Sequence, residues 1–344
     1  MTAIAAGPAS RQGWATRLAA TPEIGVISAV VVLFIAFSLA SDSFSSVSDL
    51  QTMGGDLAQY GILALGVSFV ILTGGIDLSV GSMVALTAVL SAWLNARAGL
   101  GAPIAILLTL LVAALIGVIH GLFVTRLGVP PFVTTLVTLV AARGAALAIT
   151  KGFPIDGVSS TFTDLDAYRV LLVPLPTVIF VVFCALAWVF LERTHVGRQI
   201  YAVGGNREAA RLSGVRTERR IMLTYVISSL CAGVVGVLIT SRLSVGQPSV
   251  GSGWELTAIA AAVIGGISLS GGTGRVVGVA FGSILLVIIN TGLVILHVSP
   301  YYQQIVLGLV LAVAITTDRV RSRRLARSRT PVSPPHRTPT GGSS

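Results

Sequence analysis

Apolar residues run through this chain in long blocks, without the short alternating stretches of a half-buried strand. Ten blocks stand out, at residues 24–40, 57–73, 79–96, 103–123, 131–150, 170–191, 221–241, 256–270, 276–296 and 302–317. A helix needs about 20 apolar residues to cross the hydrocarbon core of a bilayer. Helices apolar on every side have to be buried, in protein or in lipid. The pattern therefore predicts an all-α fold, a polytopic transmembrane helical bundle of about ten spans. Several blocks are short. The second and third are parted by little more than Gly74-Gly75-Ile76-Asp77, and the eighth and ninth by the GGTGR stretch at 271–275. Each pair is either two full crossings or a broken, re-entrant helix, and either way it returns the chain to its starting side.

Composition narrows the class. Of 344 residues, 54% are hydrophobic and 10% charged, where a soluble domain carries about 25% charged residues. That excludes a soluble enzyme and a disordered protein. Cys184 and Cys231 both fall inside apolar runs, so no disulfide framework is implied. The net charge of +10 would suggest nucleic acid in a soluble protein, but in a membrane protein its placement sets the topology. With the N-terminus inside, 18 of the 23 basic residues fall on the cytoplasmic side, seven of them between Arg193 and Arg220 and seven between Arg319 and Arg337. The opposite orientation would put those 18 outside, against the positive-inside bias.

The chain thus divides into a cytoplasmic N-terminal segment, 1–23, a transmembrane domain, 24–318, and a basic tail, 319–344. The longest charged inner loop is 192–220. The Arg-rich, then Pro/Ser/Thr-rich tail has no apolar periodicity and is expected to be disordered, its arginines anchoring the last span at the lipid surface. The first block follows Arg11 and Arg17 and ends in Ser38-Leu39-Ala40, which also fits a leader peptide, although the block is longer than a usual leader core.

Catalytic and metal-binding patterns are missing. There is no phosphate loop, and the only lysine is Lys151. His120, His195, His297 and His336 are scattered, with no metal-ligand spacing. Carboxylates deep in a span mark ion pathways; Asp77 and Glu255 lie near apolar runs, both at span ends. Arg143 is the one charge well inside a span, where a structural polar contact and a pathway or gate role are both open.

Four motifs carry information. In the stretch from Gly74 to Gly81, Gly74 and Gly75 break the second helix, and Asp77, with Ser79, is placed to cap the third. Broken helices also build transporter substrate sites, so a capped turn and a pathway role compete here. The second motif is GVPPFVTTL at 128–136, where Pro131 suits a first helical turn, with Arg143 three turns on. The third is the loop segment Gly204-Gly205-Asn206-Arg207-Glu208-Ala209-Ala210-Arg211-Leu212-Ser213-Gly214. Asn206 can cap a short helix and Gly214 can end it, giving a small-residue stub suited to a partner's groove. The fourth is the small-residue stretch 258–274, where Gly265 and Gly266 permit close packing or bending.

Taken together and in this order, GGIDLSVGS, GVPPFVTTL with ARG at 142–144, AVGGNREAARLSGV and AIAAAVIGGISLSGGTG resemble the ribose/xylose/galactoside-type permeases of bacterial ABC importers. The resemblance covers about residues 24–318. It implies that Gly205, Asn206, Glu208, Ala209, Ala210 and Gly214 form the segment that engages an ATPase. It implies substrate-pathway or gate residues among Gly74, Gly75, Asp77, Ser79, Arg143, Gly265 and Gly266. The implied machine has a second copy of the permease, a cytoplasmic ATP-binding subunit with two nucleotide-binding modules, and an extracytoplasmic sugar-binding protein. ATP and Mg would sit on the ATPase, with no cofactor on this chain. An ion-coupled secondary transporter or facilitator is the competing class, and the scarcity of buried carboxylates counts against it.

Overall fold

The computed structural model describes residues 22–327; the first 21 residues, with Arg11 and Arg17, and those from 328 lie outside the described residues. Its helices are α1 (Pro22–Ala40), α2 (Val47–Leu72), α3 (Val80–Ala92), α4 (Ala102–Thr125), α5 (Pro131–Thr150), α6 (Ser160–Ala167), α7 (Leu175–Trp188), α8 (His195–Gly205), α9 (Arg207–Leu212), α10 (Thr217–Leu243), α11 (Trp254–Ile264), α12 (Val276–Ile295) and α13 (Pro300–Arg327). Pro103, Pro131 and Pro176 sit in the first turns of α4, α5 and α7, where a missing N–H costs nothing.

Each of the ten apolar blocks contains a helix. Seven of the described helices are long and apolar enough to cross a membrane. α11 is not: its 11 residues reach about 16 Å at 1.5 Å per residue. α3 has 13 residues and is prolonged by a π-helical turn, Trp93–Arg97. α11 is therefore a broken helix, its path continued by the non-helical stretch 265–275 until α12 starts, whereas α3 and its π-helical turn form one helical run of 18 residues.

Four boundaries differ from the pattern. α2 begins at Val47, ten residues before its apolar block, because Ser46 caps the Asp49 N–H and Asp56 finds a partner in Arg242 at 2.6 Å. Block 170–191 starts as a two-stranded hairpin, Arg169–Val170 with Val173–Pro174, turned at Leu171 with φ 59°, before α7 begins. Block 256–270 stops being helical at Ile264, where Gly265 and Gly266 follow. The basic tail expected to be disordered from residue 319 continues α13 as far as Arg327. Arg, Leu and Ala there are good helix formers, and the next proline is Pro331.

α10 is the centre of the bundle and packs on α4, α3 and α2. Its contacts depend on small residues. A Cβ at Gly117 or Gly121 of α4 would strike the backbone of α10 at Val226 or Met222, and one at Gly236 of α10 would strike Thr87 of α3. In lipid, such close approach replaces the hydrophobic drive that helices lack there. α1, the block that also fits a leader peptide, lies along α12, with Phe37 covering Gly292.

Candidate functional site

α2 ends in a Schellman turn. The Gly74 N–H donates to Ile71 and the Gly75 N–H to Val70, at 2.8 and 3.0 Å, with Gly74 at φ 80°. The chain then runs without regular structure to α3, tied to its neighbours by side-chain hydrogen bonds. Thr73 meets Thr224 of α10 at 3.3 Å, and Thr135 of α5 donates to the Ile76 carbonyl at 3.2 Å. Asp77 lies in the middle and is fully buried. One of its carboxylate oxygens accepts from the Ser79 N–H (2.9 Å) and hydroxyl (2.6 Å), the other from Ser228 of α10 at 2.7 Å.

Two expectations change here. Asp77 was placed at a span end, but the break carries it into the protein, eleven residues along α10 from its start. Nor does Asp77 cap α3 through its first turn: Ser79 holds the N-cap position, and Asp77 fixes Ser79.

Arg143 reaches from α5 to the other break. Its Nη1 donates to the carbonyls of Pro248 and Val250, both at 2.7 Å, and Nη2 lies 3.5 Å from the Gly81 carbonyl. These groups bracket the starts of α11 and α3. The arginine thus clamps both helix entrances to α5. Hydrogen bonds to a charged donor are worth about 1.5–3 kcal/mol each. Arg143→Ala is therefore expected to lower the thermal midpoint of the purified protein without preventing insertion, and Arg143→Lys, which lacks the fork, to recover only part of it. Equal melting curves for wild type and Arg143→Ala would remove the clamp.

Gly265 and Gly266 form the turn after α11. A Cβ at Gly265 would overlap the Gly278 carbonyl of α12, and one at Gly278 the Gly265 carbonyl. These glycines join α11 to α12 by close packing, and neither is beside Asp77 or Arg143 in any contact above.

The inner loop folds as two short helices. Thr194 caps α8 through the Gly197 N–H (3.0 Å), and Asn206 caps α9 through the Ala209 N–H (2.9 Å). Gly214 closes α9 at φ 82°. Ala210 is buried against Val203 and Ile221, while Leu212 is exposed. Glu208 and Arg211 pair at 2.8 Å on the open surface, and that bond raises the Arg211 pKa. Replacing an N-cap Asn by Ala costs about 1 kcal/mol of local helix stability, so Asn206→Ala should weaken capture of an ATPase partner by pull-down while leaving insertion intact. Unchanged capture would take the cap out of docking.

Gly204, next to the predicted Gly205, makes the contact that matters. A Cβ on Gly204 would overlap the Leu72 carbonyl at the end of α2, and would press on the Gly272 N–H, while Gly205 has open space on that side. That same Leu72 carbonyl accepts the Gly272 N–H at 3.0 Å. Tyr201 adds a second tie, its hydroxyl donating to Gly274 at 3.0 Å. Burial first, then Glu192, pushes the Tyr201 pKa up to about 12, against Arg275, so it keeps its proton. α8 therefore touches, at one point, the ends of both broken pairs. Sequence spacing alone did not single out Gly204.

The chain also carries an internal repeat. Ser79-Val80-Gly81-Ser82 with Leu86-Thr87-Ala88 recurs as Ser249-Val250-Gly251-Ser252 with Leu256-Thr257-Ala258, 170 residues downstream. At the same spacing Pro130 answers Pro300. α2 runs toward α8, whereas α10 starts beside α9 and runs away, so the two copies are inverted. Arg143 bridges the two copies where α3 and the segment before α11 meet.

Among the described residues no group of three or more His, Cys, Asp or Glu could hold a metal. A bundle of apolar spans with two inverted, broken helix pairs and two short polar helices at one end is the architecture of a membrane permease. Residues 55–315 match the family described as branched-chain amino acid transport system / permease component, and the chain belongs to that family of transport permeases. It is 38% identical over 302 residues to the ribose import permease protein RbsC of Bacillus subtilis, covering 87% of this chain and 94% of that one. It is 35% identical to the D-allose transport system permease protein AlsC of Escherichia coli K12, over 85% of this chain and 90% of that one. The autoinducer 2 import system permease protein LsrC of Photorhabdus luminescens is 36% identical, over 87% and 90%. No solved structure gives a significant match.

Proposed function

We propose that this chain is the membrane-spanning subunit of an ATP-driven importer for a monosaccharide or a related polyol. The observation that carries the substrate class is the likeness, over nearly the whole chain, to permeases named for ribose and D-allose import. ATP and Mg belong in this reading to a separate cytoplasmic subunit with two nucleotide-binding modules, which docks on α8 and α9. An extracytoplasmic binding protein delivers the sugar, and a second copy of the permease completes the pathway. In this reading both termini are cytoplasmic, which the bias of 18 basic residues toward one side supports, so α8 and α9 face the cytoplasm and Asp56 and Arg242 the outside. Asp77 and Arg143 act in the pathway by holding the helix entrances. The fully buried Asp77 removes one argument against ion coupling, and family membership now carries the choice.

The test is reconstitution of the permease with its ATP-binding subunit and binding protein in liposomes. Uptake of D-ribose or D-allose that requires ATP and survives collapse of ion gradients is expected. Uptake without the ATPase, or uptake of leucine in place of sugars, would overturn the reading.

A further inference from the structure

A cavity of about 610 Å³ lies between α2, α11, α12 and α13. It occupies the half of the bundle away from α8. α12 starts beside the loop that touches Gly204, and the cavity meets α12 toward its far end and α13 in its first turns. Tyr60, Thr257, Asn290, Gln303 and Gln304 supply polar groups to its wall, and Trp254 supplies an aromatic face. The Tyr60 and Trp254 rings stand edge to face with centroids 5.1 Å apart. Ligand sites commonly have about 300–1,000 Å³ and a few convergent polar groups on a mainly apolar wall.

The inverted repeat sharpens what this cavity is. Asn290 answers His120 at the 170-residue spacing, Gln304 answers Thr134, and Gly308 answers Thr138. Tyr60 and Tyr225 stand thirteen and eight residues into the first helix of each copy, each facing the partner repeat. In the first copy the position is filled. His120 Nε2 lies 2.7 Å from the Thr138 hydroxyl, and its ring meets Tyr225 edge-on at 5.9 Å. His120 and Tyr225 are fully buried there. In the second copy glycine replaces the threonine, and Asn290 and Gln304, both exposed on the single chain, line the cavity with no protein hydrogen-bond partner among the described residues. The same place in the fold is therefore closed toward α8 and open on the opposite side.

We propose that this cavity is a chamber for one polyhydroxylated small molecule on its way through the protein, with Asn290 and Gln304 binding hydroxyls and Trp254 packing on the C–H face. An acyl chain seated there would leave both amides without partners in an apolar medium, which is costly. The chamber rests on the reading of the chain as a sugar permease.

Two measurements test it on the complete transporter in liposomes, with D-ribose and D-allose as probes. In a background of Cys184→Ser and Cys231→Ser, Asn290→Cys is labelled by a water-soluble maleimide, and millimolar sugar is expected to slow that labelling at least about fivefold. Gly308→Phe fills the cavity from a position where an added Cβ meets nothing, so the protein keeps its fold. Its sugar uptake is expected to fall at least about tenfold, ~1.4 kcal/mol, while ATP hydrolysis stimulated by the binding protein persists. Full uptake by Gly308→Phe, or labelling at 290 that sugar leaves unchanged, overturns the chamber and leaves a seat for lipid or for a second copy. A wild-type complex that imports neither sugar overturns the substrate reading as well, which separates the two failures.

Discussion

Asp77→Ala abolishes sugar uptake by a permease that is still made and inserted. The carboxylate accepts three hydrogen bonds, two from Ser79 and one from Ser228, in a fully buried site. Alanine leaves those donors without a partner, at about 1–3 kcal/mol for each unsatisfied buried group. It also removes the tie from the middle of the stretch between α2 and α3 to Ser228 of α10, the central helix. Asp77→Asn separates shape from charge. An amide keeps one acceptor oxygen but turns a donor toward Ser79 or Ser228, so partial uptake, about a tenth of wild type or less, is expected. Uptake per inserted molecule, measured beside a melting curve, decides it. Wild-type uptake by Asp77→Ala would take the residue out of the mechanism.

What the sequence revealed follows from where the physics is local. Span positions, helix caps and the short helix after Asn206 were legible, because lipid demands continuous apolar runs and caps need one residue at one place. Family membership was legible through four motifs in order. The reach of the breaks was not. Gly74-Gly75 announces that α2 stops, but whether the chain then turns at the surface or dives to Ser228 is decided by packing on α10. For the same reason Asp77 read as a surface cap when it is buried. Leu171 at φ 59° shows the same limit on a small scale: an apolar run reads as span even where it folds as a hairpin. The repeat was written plainly in two SVGS segments, and recognising it needs comparison of the chain with itself instead of with the periods of helix and strand.

Gly204→Ala separates transport from ATP hydrolysis, and Gly205→Ala does not. A methyl on Gly204 overlaps the Leu72 carbonyl and crowds the backbone of Gly272, and backbone cannot rotate away as a side chain can. α8 must then withdraw from the point where it meets the ends of α2 and of the turn after α11. The Gly272 bond to Leu72 and the Tyr201 bond to Gly274 are the neighbouring ties, and both loosen with it. Uptake is expected to fall at least about tenfold, ~1.4 kcal/mol, while the ATP-binding subunit still co-purifies, because α9 and its Asn206 cap are untouched. At Gly205 a methyl enters open space, and its cost is confined to the helix end. Tyr201→Phe removes one tie without adding bulk and should lie between the two. Equal uptake by Gly204→Ala and Gly205→Ala would mean that α8 transmits nothing through this contact. A loss of ATPase capture by Gly204→Ala would mean that the contact builds the docking surface itself.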